Sequence, residues 1–317
     1  MTQQLGFEGM PRRLYPCTPS RLRAWLDCPR RYRMTYLDRP APAKGPPWAH
    51  NSLGASVHNA LANWWRLPRT ERTVRAAGQL LERGWISEGF ADDPQAARHR
   101  RRARNMVEAY VAGLDPDCEP VGVERTVGTK TELIAISGRI DRLDDRLDDR
   151  LDDRLAGPGR PAGPSQPAER GEFATAGQAR RLVVVDYKTG RQPLTTDDVR
   201  SSMALALYAL AAARVLRRPC RDVELHHLPT GQVLGWEHTQ ASLDRQLRRA
   251  EDIAAECSDA DERFRAEPET GRGDEVFPPR PGAWCGWCDY RAHCPQGRLA
   301  APQRRPWDGL TTDDVAS

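Results

Sequence analysis

The chain has 317 residues, 39% of them hydrophobic and 29% charged, with a mean hydropathy of −0.70 and a formal net charge of +4. That length supports a sizeable core, as one large domain or two small ones, while the low hydropathy leaves a share of the chain outside any core. No apolar run approaches the roughly 20 residues of a membrane helix and Met1–Pro16 lacks a secretory apolar stretch, so a cytoplasmic protein without stable disulfides is expected; the mild charge permits nucleic-acid binding.

Residues 1–19 read as a polar arm. Ser20 is placed to cap a helix running through Leu22, Trp25 and Leu26. It opens a helical part expected over 20–115, with further helices at 52–67, 70–88 and 95–114. Val57, Leu61, Trp64 and Trp65 supply an apolar stripe, and the 95–114 helix is arginine-rich. An α/β core is expected over 116–270. Its β runs fall at 119–127, 132–141 and 182–188. An apolar helix follows at 197–216, then a hairpin of Val223–Leu228 and Gln232–His238 around Pro229-Thr230-Gly231, and a helix at 241–266. A cysteine-rich segment (271–297) and a polar tail (298–317) complete the chain.

A four-residue repeat of Asp, Arg, Leu and Asp spans 141–154 and runs into Gly/Pro/Ala/Ser-rich sequence to about 179. A calcium loop would need a turn glycine and a terminal Glu, which the repeat lacks. The expectation is a flexible, charge-neutralising insertion over 144–179, with Asp141 set apart because it ends an apolar run.

The chemistry concentrates at Leu182-Val183-Val184-Val185-Asp186-Tyr187-Lys188. Asp186 and Lys188 lie two apart on a strand and so share a face. Lys188 is one of only three lysines (with Lys44 and Lys130) among 48 basic residues. Gly138-Arg139-Ile140-Asp141 ends the preceding strand, and if the two strands are neighbours the aspartates converge. Two carboxylates with open positions favour Mg²⁺ or Mn²⁺, which lower the pKa of a bound water and offset charge on a phosphate; Lys188 would position that water or stabilise the developing charge.

This arrangement resembles the PD-(D/E)XK nuclease superfamily and, within it, the RecB-like exonucleases, including the CRISPR-associated ones. The resemblance implies a restriction-endonuclease-like α/β fold, a mixed central sheet flanked by helices. It implies that His58, in Leu53–Leu61, binds the metal with Asp141, Asp186 and the Tyr187 backbone carbonyl, and that Lys188 is the catalytic lysine. Glu124, on the first strand, is a further candidate ligand. The Gln-x-x-x-Tyr pattern of the branch keeps Tyr208, a candidate DNA contact, but has Ala204 where glutamine is usual, which points to reduced activity.

Cys285, Cys288 and Cys294 give C-x2-C-x5-C, and Cys28 is the best fourth ligand. One cysteine before the core and three after it resembles the iron–sulfur members of this branch. That implies a [4Fe–4S] cluster joining the N-terminal helical part to the C-terminal segment. Zinc is the alternative, with His293 a further ligand. Cys118, Cys220 and Cys257 read as ordinary thiols, and Cys17 as a competitor of Cys28. Arg30, Arg31, Tyr32, Arg33, Trp284, Trp287 and Arg291 are candidates for a DNA track, although the two tryptophans equally suit shielding a cluster. No G-x-x-x-x-G-K-[ST] occurs, so a helicase motor would come from another chain. The expected function is an Mg²⁺/Mn²⁺-dependent deoxyribonuclease acting on single strands or duplex ends, in repair, recombination or defence. The rivals are a catalytically weakened DNA-binding or scaffolding protein and a zinc-stabilised interaction protein.

Overall fold

A computed structural model describes residues 14–147, 180–266 and 273–310. Strands β1 (Tyr15–Cys17), β2 (Gly122–Lys130), β3 (Ile134–Leu147), β4 (Arg180–Lys188), β5 (Cys220–His227) and β6 (Gln232–Glu237) form one mixed sheet of order β1-β3-β4-β5-β6, with β2 also paired to β3. Pairing is parallel for β1–β3 and β4–β5 and antiparallel elsewhere. Among the described residues, no helix is long and apolar enough to cross a membrane.

Helices cover both faces of the sheet. Helices α1 (Pro19–Asp27) and α2 (Pro29–Tyr36) are followed by α3 (Ala49–Trp65), α4 (Val74–Arg83) and α5 (Asp93–Ala112). Val57, Leu61, Trp64, Val107 and Val111 pack on one face of β4, against Val183, Val185 and Tyr187. The opposite face, Leu182 and Val184 with Leu143 of β3, packs on α6 (Thr196–Arg200) and α7 (Met203–Leu216). This is the two-faced burial that the continuous apolar run of β4 demands. Helix α8 (Gln240–Ala266) packs with α1, α2 and β1 in a third core around Leu22, Tyr32 and Ile253. Short helices α9 (Gly273–Val276) and α10 (Pro295–Ala300) lie in the C-terminal segment. The result is the helix-flanked mixed sheet expected of a restriction-endonuclease-like core.

Several expectations need correction. Residues 15–17 of the expected arm form a strand, and the cap of α1 is Thr18, not Ser20; its side chain accepts from Arg21 N–H, with Pro19 in the first turn. The 70–88 helix is shorter, after a 3₁₀ turn at Arg69–Glu71. The 197–216 helix is two, because Ser202 caps a fresh start at Met203 by accepting from Leu205 N–H. Most consequentially, β3 does not end at Asp141. Asp144, Asp145, Arg146 and Leu147 continue it against β4. The insertion expected from 144 therefore starts no earlier than 148, and 148–179 lie outside the described residues. Strand period two explains why the repeat can do this: Arg142, Asp144 and Arg146 share one face, where Arg142 pairs with Asp144 at 2.9 Å and Arg146 with Glu224 at 2.7 Å. On the other face Asp145 pairs with Arg218 at 2.8 Å.

Candidate active site and cysteine-lined cavity

The centre of the sheet places three carboxylates in a row. Arg142 stands opposite Val185, so Asp141 and Asp186 meet at the next step of the antiparallel ladder. On the other side of β3, Val123 opposes Arg142 and Arg125 opposes Ile140, which sets Glu124 across from Asp141. The β3–β4 ladder stops just short of the two aspartates. There the Tyr187 backbone N–H, which would otherwise bond a strand carbonyl, donates to Asp141 Oδ2 at 2.9 Å. That bond fixes the Asp141 carboxylate where the two strands part.

Glu124 has φ of +48°, unusual for a side chain other than glycine or asparagine. Val123 packs in the α3/α5 core and Val127 in the α7 core, although residues four apart on a regular strand share a face. The strand thus changes facing around Glu124, and backbone strain is held at the residue that joins the acidic row. Helix α3 brings His58, whose Nδ1 lies 3.4 Å from Asp141 Oδ1. Among the described residues, His58, Glu124 and Asp141 form the one set of three or more metal-type ligands with all donor atoms within 4.8 Å of one another. Asp186 lies beside them but is paired with Lys188 Nζ at 2.5 Å.

The charges report the crowding. Burial, assisted by Asp141, holds the Asp186 carboxyl above its ordinary range against the pull of Lys188. Burial and Asp141 likewise raise Glu124. Burial works against a charged His58, yet the neighbouring acids outweigh it and its pKa is raised. Like charges this close cannot all ionise cheaply without a cation among them.

Tyr208 on α7 joins the same site. Burial, Asp186 and Asp141 push its phenol up to about 12. Its ring lies against Gly138, where any Cβ would collide with it. The glycine before Asp141 is thus space for the tyrosine one helix away. Gly138→Ala is expected to displace Tyr208 and destabilise the fold by about 1–3 kcal/mol, read from urea unfolding; an unchanged midpoint would contradict that packing. Ala204, one turn before Tyr208, shares its helix face and offers only a methyl group.

The four cysteines Cys28, Cys285, Cys288 and Cys294 line a single cavity of about 290 Å³ between the ends of the described chain. Cys28 sits in the extended step between α1 and α2. Its sulfur accepts from Arg280 N–H at 3.4 Å, and the Cys294 sulfur accepts from Gly297 N–H at 3.3 Å. Burial, then Cys28, raise the Cys288 thiol against opposing pulls from the Tyr290 N–H and Arg31. Gly286, between two of these cysteines, lets the Pro302 carbonyl approach to 2.8 Å of where a Cβ would stand. Cys17 is buried in the α1/α8 core instead, with a thiol pushed up to about 11 by burial. His293 donates to or accepts from no sulfur among the described residues; its Nε2 reaches the Ala43 carbonyl at 2.9 Å.

The expected DNA contacts fare unequally. Arg30 is 4% exposed and bonds Asp274, Gln296 and, at 3.7 Å, the Cys294 sulfur, so it ties the two chain ends together and has no open path to a phosphate. Arg31 is part-exposed and pairs with Asp27. Trp284, 73% exposed, and Trp287, which packs on Trp48, both line the cysteine cavity. Sequence reasoning also passed over Arg142, now buried under Trp65 and donating to Tyr110 and Tyr187 hydroxyls. Its signal was hidden by the repeat.

The row of acids across three strands, a lysine two residues on and a helical histidine bring together donor atoms that could hold a divalent cation. The family model of the PD-(D/E)XK nuclease superfamily matches residues 16–152 and 174–295, breaking only within the expected insertion. The chain belongs to this superfamily. Comparison with curated proteins gives no match.

Proposed function

We propose that this protein is a RecB-like, iron–sulfur nuclease that hydrolyses DNA phosphodiester bonds with Mg²⁺ or Mn²⁺, as an exonuclease on single strands or duplex ends. The observation that carries the reading is the convergence of Glu124, Asp141 and Asp186 on adjacent strands with His58 and Lys188 beside them. The donor set, hard carboxylate oxygens with one imidazole, fits such a cation. His58, Asp141, Asp186 and the Tyr187 carbonyl would hold it, with Glu124 as a further ligand, and the cation would supply an activated water and charge compensation. The Tyr187 N–H keeps Asp141 oriented, and Lys188 places its ammonium at the phosphate.

The cysteines support the iron–sulfur part. Four thiols from both chain ends line one cavity. The N–H donors on the Cys28 and Cys294 sulfurs suit thiolate ligands. A reducing, cytoplasmic setting would keep such thiols available as ligands. DNA repair, recombination or defence, with a helicase supplied by another chain, is the setting that such an activity fits. Ala204 favours one second reading, a weakened enzyme retained for DNA binding or scaffolding, because a methyl group beside Tyr208 has nothing to offer a base or phosphate.

The test is metal-dependent release of nucleotides from end-labelled single-stranded and duplex DNA. Wild type should cleave with Mg²⁺ or Mn²⁺ and stop with chelator, and Lys188→Ala should be roughly 10²–10³-fold slower. Equal rates for the two proteins would remove the nuclease reading.

A further inference from the structure

After Lys188 the chain turns through Thr189, Gly190 and Arg191. This loop and the stretch Arg304–Gly309 form two walls of an open groove of about 760 Å³, which His50 and Trp287 also line. A second hollow continues it along Lys188, Arg191 and Arg102. The walls are fixed. His227 Nε2 bonds the Gly190 carbonyl at 2.8 Å, and His227 is itself held by Thr230. Arg191 donates to the Leu310 carbonyl at 2.9 Å, and Leu310 is buried in the α3/α5 core. The Pro306 carbonyl accepts from Ala49 N–H at the start of α3, and Arg304 N–H bonds Gly286 between the cysteines.

The charge is one-sided. Lys188, itself paired with Asp186, lines the groove with Arg191, Arg304 and one carboxylate, Asp308, which is already paired with Arg305 at 2.9 Å. Neither Arg191 nor Arg304 forms an ion pair among the described residues. The Arg304 guanidinium stands 5.7 Å over the Trp287 ring, so a cation and a part-exposed aromatic lie side by side. Charge tracks a phosphate backbone, and an aromatic face takes an unstacked base. A duplex keeps its base faces stacked internally and would offer none to the exposed part of Trp287, whose ring otherwise packs on Trp48.

We propose that this groove binds the single nucleic-acid strand flanking the scissile phosphate, with Arg191 and Arg304 on its phosphates and a base on Trp287. The inference rests on the nuclease reading and names the path of its substrate. It also gives the C-terminal stretch, which looks like a polar tail, a binding role beside the catalytic lysine.

The experiment is fluorescence anisotropy with a labelled single-stranded oligonucleotide and its blunt duplex, in chelator and over a range of salt, using the full chain. Arg191→Ala and Arg304→Ala should each weaken single-strand binding roughly fivefold and lower the salt slope by about 0.7. Arg191→Lys should recover most of the loss, and Arg248→Ala, on the exposed side of α8, should bind as wild type. Unchanged affinity and slope in both alanine variants would overturn the proposal, as would an equal loss on duplex and single strand. Cleavage by wild type is scored separately. Active wild type with unaffected variants removes the groove alone. Weakened variants of a protein whose wild type fails to cleave with either Mg²⁺ or Mn²⁺ leave the strand-binding groove standing and remove the nuclease reading alone.

Discussion

Asp186→Asn is expected to abolish metal-dependent cleavage while making the metal-free protein less sensitive to rising pH. Asp186 lies among Asp141, Glu124 and His58, and burial together with Asp141 raises its carboxyl above the ordinary range. A raised folded pKa means that the native state holds this proton more tightly than the unfolded chain. Its stabilising contribution is therefore complete below the unfolded carboxylate value and is lost as pH rises through the folded one. Glu124, raised by the same causes, adds to that loss. Metal-free wild type should thus show a melting temperature that falls as pH rises out of the carboxylate range, and the fall should be shallower in Asp186→Asn. A divalent cation should reverse it. At a hundredfold excess over its dissociation constant, a cation bound only by the folded state adds about 2.7 kcal/mol to wild type. It should add little to the variant. Cleavage should drop by roughly 10³-fold or more, since loss of one positioned electrostatic group alone costs 10²–10³. Melting curves over pH, with and without Mn²⁺, check the linkage. If Mn²⁺ protects the variant as well as wild type, the cation is held without Asp186.

How much of this was legible beforehand follows from the range of the interactions. The β4 run could be read because four consecutive apolar residues are buried on both faces whatever surrounds them. The β5–β6 hairpin could be read because its turn is local. Asp141 and Asp186 could be aligned only on the condition that β3 and β4 are neighbours, and the ladder meets it. Glu124 carried no sign of its positive φ, which comes from the meeting of two cores around β2. The strand in the repeat was hidden because composition suggested a solvated insertion, while its partners Arg218, Arg180 and Glu224 lie far away in sequence. Tyr15–Cys17 is three residues with a central proline, which suits a short edge strand and leaves too little pattern to detect. The same limit hid the role of Arg30 and of Arg304–Leu310. A charged side chain near cysteines reads as a DNA contact until the opposing Asp274 and Gln296 are in place. A Pro/Arg-rich tail reads as solvent-exposed until Leu310 is found in the core.

Cys28→Ala is expected to give the largest loss of stability of any single change outside the sheet. The segment from Phe277 to Leu310 has little regular structure: two 3₁₀ turns, at Ala283–Trp287 and Arg291–His293, and the six-residue α10. Around the cysteine cavity it is anchored by a scatter of bonds, among them Trp48 to Asp289 at 2.8 Å, Gly45 N–H to the Asp289 carbonyl and Arg280 to the Leu26 carbonyl. Such a segment buries too little to order itself, so the energy of a group bound by its thiolates is folding energy. Cys28 is the one ligand candidate from the N-terminal side, and without it the cavity loses its link to α1 and α2. The variant should lose iron and the absorbance at about 400 nm given by a cysteine-ligated cluster. It should also melt roughly 10 °C or more below wild type, as expected if only part of the ~10 kcal/mol typical of a structural metal site is lost. Cys118→Ala, at a thiol outside the cavity, should keep both colour and metal. Iron content and colour equal to wild type in Cys28→Ala would sink the assignment, and stoichiometric zinc in a colourless wild-type protein would replace the cluster by a zinc site. The groove beside Lys188 links this prediction to the active site. Arg304 N–H is bonded to Gly286, so loosening the cysteine segment moves one wall of the proposed strand path. Cys28→Ala should therefore also weaken single-strand binding, even with Asp141, Asp186 and Lys188 intact.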